Sequence, residues 1–300
     1  MLKALFKEKF ALSLDEVKRR HEYKDSKYIK IQGMQVHYRD VGEGPVLLLL
    51  HGMFASLHTW EDWIDILKKD FRIIAIDAPN YGFTGAHPKG MHKHIYSDFL
   101  NEFTDALDIK ECMLAGNSLG GWMAWEFAGR FPEKVKKIIL IDAAGFFFVV
   151  PWLLMLLALP LSTTIGPMVK YPKVAFKAVL KQVYGDPSRL PKAKLDLYYD
   201  LMMREGNRAS GSRVVHYIRN MGGFRTGYMK KVTQPTLIMW GEKDRWIPKR
   251  HVPMYCKAIK NSKSIIYPGL GHMPMEEMPD ITAQDAREFL LKKYGLGHLN

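Results

Sequence analysis

Three residue types in this chain have the make-up of a nucleophilic catalyst. Ser118 lies in Gly116-Asn117-Ser118-Leu119-Gly120, a G-x-S-x-G spacing. That spacing recurs by chance, and a serine in a glycine-rich turn can simply cap a helix. Here an apolar strand-like run precedes it and a helical run follows at once, a context that forces a sharp turn and exposes the hydroxyl. A serine hydroxyl is a weak nucleophile and needs a base within hydrogen-bond reach. Of the eleven histidines, His272 stands out by position, after the last strand-like run and a short Pro-Gly-Leu turn. The base in turn needs a carboxylate to fix its tautomer and stabilise the imidazolium. Asp244, in Trp240-Gly241-Glu242-Lys243-Asp244, is the first choice. Glu242 is its neighbouring competitor, and Asp142, at the end of another apolar run, is a more distant one.

These side chains can cooperate only if strands deliver them to one edge of a sheet. Tyr28–Gln32 and Met34–Arg39 flank Gly33 and read as a hairpin. Val46–Leu50, Arg72–Ile76, Glu111–Ala115 and Val135–Ile141 are near-continuous apolar runs, as strands covered on both faces should be. Helical stretches near residues 57–69, 94–107 and 119–130 separate them. After Gly145 the rhythm breaks. Residues 146–161 are almost wholly apolar but short and interrupted by Pro151, which argues against a membrane span. Several helices and no strands are expected as far as about Tyr228. Strands then return at Thr236–Trp240 and Ser264–Tyr267, with helices near Val252–Ile259 and from Asp280 to about Lys293. The expected fold class is α/β: a mostly parallel, doubly wound sheet with a helical insertion after the strand ending near Asp142. The insertion is placed to cover the carboxyl ends of the strands, where such sheets bind ligands.

His51-Gly52-Met53, Asp77-Ala78-Pro79-Asn80-Tyr81-Gly82, Gly116–Gly121, Gly241–Asp244 and Gly271-His272-Met273-Pro274, with Glu277 and Pro279, together resemble the α/β-hydrolase superfamily over residues from about 28 to 300. The resemblance implies the chain order Ser118, Asp244, His272 for the triad. It implies catalysis without cofactor or metal, and a cap built from residues 145–228. It further implies an oxyanion hole from the backbone N–H of Leu119 and of Met53, with Phe54 as runner-up for Met53. Relatives that open epoxides or remove halides carry aspartate at the elbow, so Ser118 argues against both chemistries. Asn117 with Gly120-Gly121 matches a branch resembling the carbon–carbon bond hydrolases of aromatic ring-cleavage pathways. That branch commonly has tryptophan after the base histidine, where this chain has Met273. It also expects a cap arginine, which does not align clearly among Arg189, Arg204, Arg208 and Arg213.

The expected organisation is a basic amphipathic segment at 1–27, a core at 28–144 and 229–300, and a helical cap at 145–228. The expected reaction is hydrolysis of a small-molecule ester with an apolar acyl or alcohol group. Phe54, Asn117, Trp152, Met155 and Met273 are candidates for lining the substrate site, and Leu156 for the entrance. The alternatives are carbon–carbon bond hydrolysis of a ring-cleavage dienoate, or a binding protein on a hydrolase scaffold. Cys112 and Cys256 make neither a disulfide framework nor a metal site. The formal charge of +13 is scattered without a base- or phosphate-reading motif, which speaks for a solvated basic surface rather than nucleic-acid binding. At the N-terminus, Leu2, Leu5, Phe6 and Phe10 fall on one helical face, with Lys3, Lys7 and Lys9 largely elsewhere. That pattern fits either peripheral membrane contact or docking on the protein's own body. The expected location is the cytoplasm.

Overall fold

The computed structural model describes residues 10–147, 162–221, 224 and 226–292. Eight strands form one sheet in the order β1-β2-β4-β3-β5-β6-β7-β8. These are β1 (Lys27–Ile31), β2 (Met34–Val41), β3 (Val46–Leu50), β4 (Arg72–Ile76), β5 (Cys112–Asn117), β6 (Val135–Ile141), β7 (Thr236–Gly241) and β8 (Ser262–Tyr267). β1 and β2 form the hairpin and β2 runs antiparallel to β4; every other pairing is parallel. Gln32 and Gly33, between β1 and β2, both take positive φ, as the tight turns that match strand twist require.

The unbroken apolar strands follow from burial on both sides. Leu48, Leu50, Ile74, Ile76, Leu114, Ile138, Leu140, Ile238 and Trp240 enter one core. Their neighbours Leu47, Leu49, Ile73, Ala75, Met113, Ala115, Ile139, Ile141, Leu237 and Met239 enter the other. Successive side chains point to opposite faces of a strand, so each face needs its own apolar set.

Among the described residues the α-helices, in chain order, are α1 (Leu14–His21), α2 (Glu61–Leu67), α3 (Ile95–Ala106), α4 (Leu119–Arg130), α5 (Ser162–Ile165), α6 (Lys173–Leu180), α7 (Lys192–Met203), α8 (Asn207–Asn220), α9 (His251–Ala258), α10 (Pro274–Glu277) and α11 (Pro279–Leu291). α3, α4 and α9 pack on the first core; α1, α2 and α11 contribute to the second. α5 to α8 lie in the insertion between β6 and β7. From α6 and α7, with the segment between them, Leu180, Val183, Tyr184, Leu195, Tyr198 and Leu201 join the second core.

The described part of the N-terminal segment is docked on the body. Ser13 caps α1 by accepting from the Glu16 N–H at 3.2 Å. Leu12 N–H donates to the Met203 carbonyl, and Glu205 N–H to that of Leu12. Arg20 and His21 both reach Asp200 on α7. Residues 1–9, with Leu2, Leu5, Phe6 and the three lysines, lie outside the described residues. So do Trp152, Met155, Leu156, Lys293 and most of the apolar run. Among the described residues, no helix is long and apolar enough to cross a membrane.

Candidate active site

Because β3, β5, β6, β7 and β8 run parallel, the segments after them open on one edge, and the residues singled out by motif lie in those segments. Ser118 sits between the last residue of β5 and the first of α4 with φ 54° and ψ −113°. A non-glycine residue is rarely held there, and the cost of order 1–3 kcal/mol must be met by surrounding structure. The restraint is visible: Ser118 N–H donates to the Ile141 carbonyl at 2.9 Å, and its own carbonyl accepts from Gly121 and Ala144. Gly116 and Gly120 make the turn possible, since a Cβ on Gly116 would overlap the Gly120 carbonyl and one on Gly120 that of Leu50. The side chain is half-buried. Leu119 opens α4, so its N–H has no intrahelical acceptor.

The loop after β3 lies against this turn. A Cβ on Gly52 would come within 3.1 Å of the Ser118 Cβ, which puts Met53 and Phe54 beside the serine. Both are half-buried, and Phe54 takes φ 60°. Its ring stands edge-on to Tyr81, centroids 5.9 Å apart, under Gly211 of α8, where a Cβ would overlap the ring. The insertion therefore rests directly on the loop beside Ser118. His51 is bracing: fully buried, it accepts from Ala78 N–H at 2.9 Å through Nε2 and donates to the Gly52 carbonyl from Nδ1. Burial lowers its pKa, so it stays neutral.

His272 presents Nδ1 to Asp244 Oδ2 at 2.7 Å, both side chains buried. The other Asp244 oxygen accepts from Trp246 N–H at 2.7 Å and Ile247 N–H at 3.0 Å. The Trp246 ring stacks on the imidazole, centroids 5.8 Å apart. Such a pair fixes the ring orientation and leaves Nε2 as the nitrogen open to a partner. Glu242 is elsewhere: exposed, it meets Lys249 at 3.2 Å and Gly269 N–H.

Asp142 is nearer than its place in the sequence suggests. Asp142, Asp244 and His272 bring ligand-type atoms within 4.8 Å of one another. Asp142 takes φ 44° just past β6 and accepts from Gly241 N–H at 2.9 Å. Burial first, then the Asp244 carboxylate, pushes its pKa well above the usual carboxylate range. Asp142 thus favours its protonated form beside the Asp244 carboxylate. A neutral carboxyl and an Asp–His pair already spent on each other make a poor cation site.

Family comparison agrees with this geometry: a family described as alpha/beta hydrolase fold matches residues 45–173. The chain has the α/β-hydrolase fold. It is similar to a solved meta-cleavage product hydrolase from Pseudomonas fluorescens IP01, with 25% identity, TM-score 0.77, and coverage of 89% of this chain and 98% of that one. It is similar to a solved bacterial membrane phospholipase A, with 26% identity, TM-score 0.73, and coverage of 88% and 85%. It is also similar to epoxide hydrolase 4 of Homo sapiens, 26% identical over 84% of this chain and 75% of the relative.

Two of the residues expected to line the substrate site have partners within the fold. Asn117 is buried and its amide donates to the Ile141 carbonyl at 3.2 Å and the His272 carbonyl at 2.9 Å. It ties the serine turn to the histidine loop. Met273 is 5% exposed and packs in the second core, because α10 turns it inward. Glu277, named only as part of a motif, has a larger role. It accepts from Gly271 N–H at 2.6 Å, from Gly185 N–H at 3.0 Å and from Asp186 N–H at 3.2 Å. His272 N–H donates to the Val183 carbonyl at 2.7 Å, so the insertion and the histidine loop are joined. Serine, histidine and aspartate in a row do not by themselves make such a site. Ser26, His37 and Asp77 are also linked, at 2.8 Å and 2.7 Å. There Asp77 also accepts from Leu57 and Phe83 N–H and His37 is fully buried, so that chain braces the loop after β4.

Proposed function

We propose that this hydrolase cleaves carboxylic esters with an apolar acyl or alcohol group, through an acyl-enzyme on Ser118. The observation that carries the reading is a serine held at a left-handed turn on the edge where a buried Asp244–His272 pair leaves Nε2 open. In the proposed reaction Ser118 Oγ attacks the ester carbonyl and its proton passes to His272 Nε2. Asp244 holds Nδ1–H and stabilises the imidazolium. The N–H groups of Leu119 and Met53 stabilise the oxyanion. The imidazolium then protonates the departing alcohol, and water, deprotonated by His272, releases the acid. Residues 145–228 act as the cap, with α8 resting on Phe54. Serine at this position speaks against epoxide opening, despite the similarity to epoxide hydrolase 4.

Purified protein should label with a fluorophosphonate and hydrolyse short and medium acyl esters. Ser118→Ala should lose labelling and several powers of ten in kcat while keeping its far-UV spectrum. An unchanged rate in that variant refutes the assignment. The similarity to the meta-cleavage product hydrolase, with Asn117 and Gly120-Gly121, favours carbon–carbon bond hydrolysis as the second reading. A ring-cleavage dienoate turned over faster than every ester would establish that one instead.

A further inference from the structure

The insertion exposes apolar and basic side chains close together around α6. Val174 of α6 is 77% exposed, and Met168 and Val169 just ahead of α6 are 40% and 45% exposed. Val174, Ala178 and Lys181 are four and three residues apart and share one face, while Leu180 of the same helix is buried in the core. Beyond Val174 and Ala178 the same stretch carries lysines. Lys177, Lys181 and Lys192 line a surface cavity of about 250 Å³ with Ser188 and Leu195. Lys170 lies over the ring of Phe10, 5.8 Å from its centroid, and Phe10 is 51% exposed. Among the described residues none of these four lysines has a carboxylate partner. The acidic neighbours are occupied: Asp196 pairs with Lys173 at 2.6 Å, and Asp186 accepts from Ser188. The chain leads into this face at Phe10 from MLKALFKEK, which has the same lysine-and-apolar composition.

We propose that this face docks onto the surface of an anionic phospholipid bilayer. Exposed valine and methionine side chains enter the headgroup boundary while the lysines meet lipid phosphates, and the two contributions reinforce each other. A second copy of the chain fits poorly, because a two-fold contact would set lysine against lysine. Free phosphate would use the lysines but leave the apolar row without a role. The proposal deepens the ester-hydrolase reading, and rests on it only for the substrate a bilayer would supply.

The test is co-sedimentation of the full chain with vesicles of phosphatidylcholine alone and of phosphatidylcholine mixed with phosphatidylglycerol, at low and high salt. Wild type should sediment with the anionic vesicles at low salt and be largely released by high salt. The combined variant Lys177→Gln, Lys181→Gln, Lys192→Gln should partition about a hundredfold less, about fivefold per lysine, with hydrolysis of a soluble short ester unchanged. Val174→Asp should reduce the salt-resistant remainder. Ser118→Ala should bind vesicles like wild type, so a failed esterase assay and a failed docking assay are read separately. Recovery in the supernatant with both vesicle types overturns the proposal. So does vesicle binding untouched by the cap substitutions and lost only on removal of residues 1–9. A concentration-dependent dimer, abolished by Val174→Asp without vesicle binding, overturns it in favour of a second copy.

Discussion

Replacing Asp142 with asparagine tests the electrostatics behind the Asp244–His272 pair. Asp142 is fully buried against the Asp244 carboxylate and is held protonated. An amide keeps the shape and the oxygen that accepts from Gly241 N–H, but cannot titrate. The raised native pKa means that, above the ordinary carboxylate value, the folded protein binds one proton that the unfolded chain has released. Stability from this group is fully present below that ordinary value and is lost as pH rises toward the native value. The loss is about 1.4 kcal/mol per pH unit. Every other titrating group is common to wild type and Asp142→Asn, so subtraction isolates this one. Urea unfolding between about pH 5 and 7 should show the variant gaining stability relative to wild type as pH rises, with a slope of at most about 1.4 kcal/mol per pH unit. Ester hydrolysis near neutral pH should change little. Parallel stability curves across that window would show that Asp142 carries no extra proton, and the account of the buried pair would fail.

Asp244→Asn should lower kcat by about ten-thousandfold, because the amide favours the wrong imidazole tautomer, whereas Glu242→Gln, at the exposed contact with Lys249, should match wild type; steady-state kinetics of both decide between the carboxylates. Gly211→Ala should disturb Phe54, because the new methyl meets its ring; a raised KM for apolar esters with intact secondary structure is expected, and an unchanged KM would show that the insertion does not set that loop. Glu277→Ala strands the N–H groups of Gly185, Asp186 and Gly271 and should cost about 2–4 kcal/mol, read by denaturant unfolding, together with a fall in kcat.

The sheet was legible because its apolar runs have no competing explanation once both faces are buried. Val135–Ile141 matches the expected strand residue for residue. β5 runs two residues past the expected end at Ala115, since Gly116-Asn117 looks like a turn while parallel pairing with Leu140 and Ile141 continues the ladder. Docking on the protein's own body was one of the two readings the N-terminal pattern allowed, and the described part, with α1 capped by Ser13 in Ser13-Leu14-Asp15-Glu16, takes it. That Ser118, Asp244 and His272 fall just past strand ends, with Asp244 rather than Glu242 against the imidazole, was readable from local motifs. Asp142, Asn117 and Met273 were not, because their roles depend on what lies across the sheet edge. Asp142 meets Asp244 only because β6 and β7 are paired neighbours. Asn117 meets the His272 carbonyl only after β8 and its loop are in place.

The junction at Val183–Asp186 bears on how the molecule comes apart and how it can be rebuilt. Val183 lends its carbonyl to His272, Glu277 gathers N–H groups from both sides, and Gly185 lies so close to Gly269 and Gly271 that a side chain there would collide with their backbones. Excising residues 145–228 and closing the gap with a linker would remove the partners that hold the histidine loop. A chimera carrying a foreign insertion would inherit the same deficit unless it brought a chain segment matching 183–186. Calorimetry of the intact chain should accordingly show one cooperative melting unit spanning the sheet and the insertion, not a lid that unfolds ahead of its base.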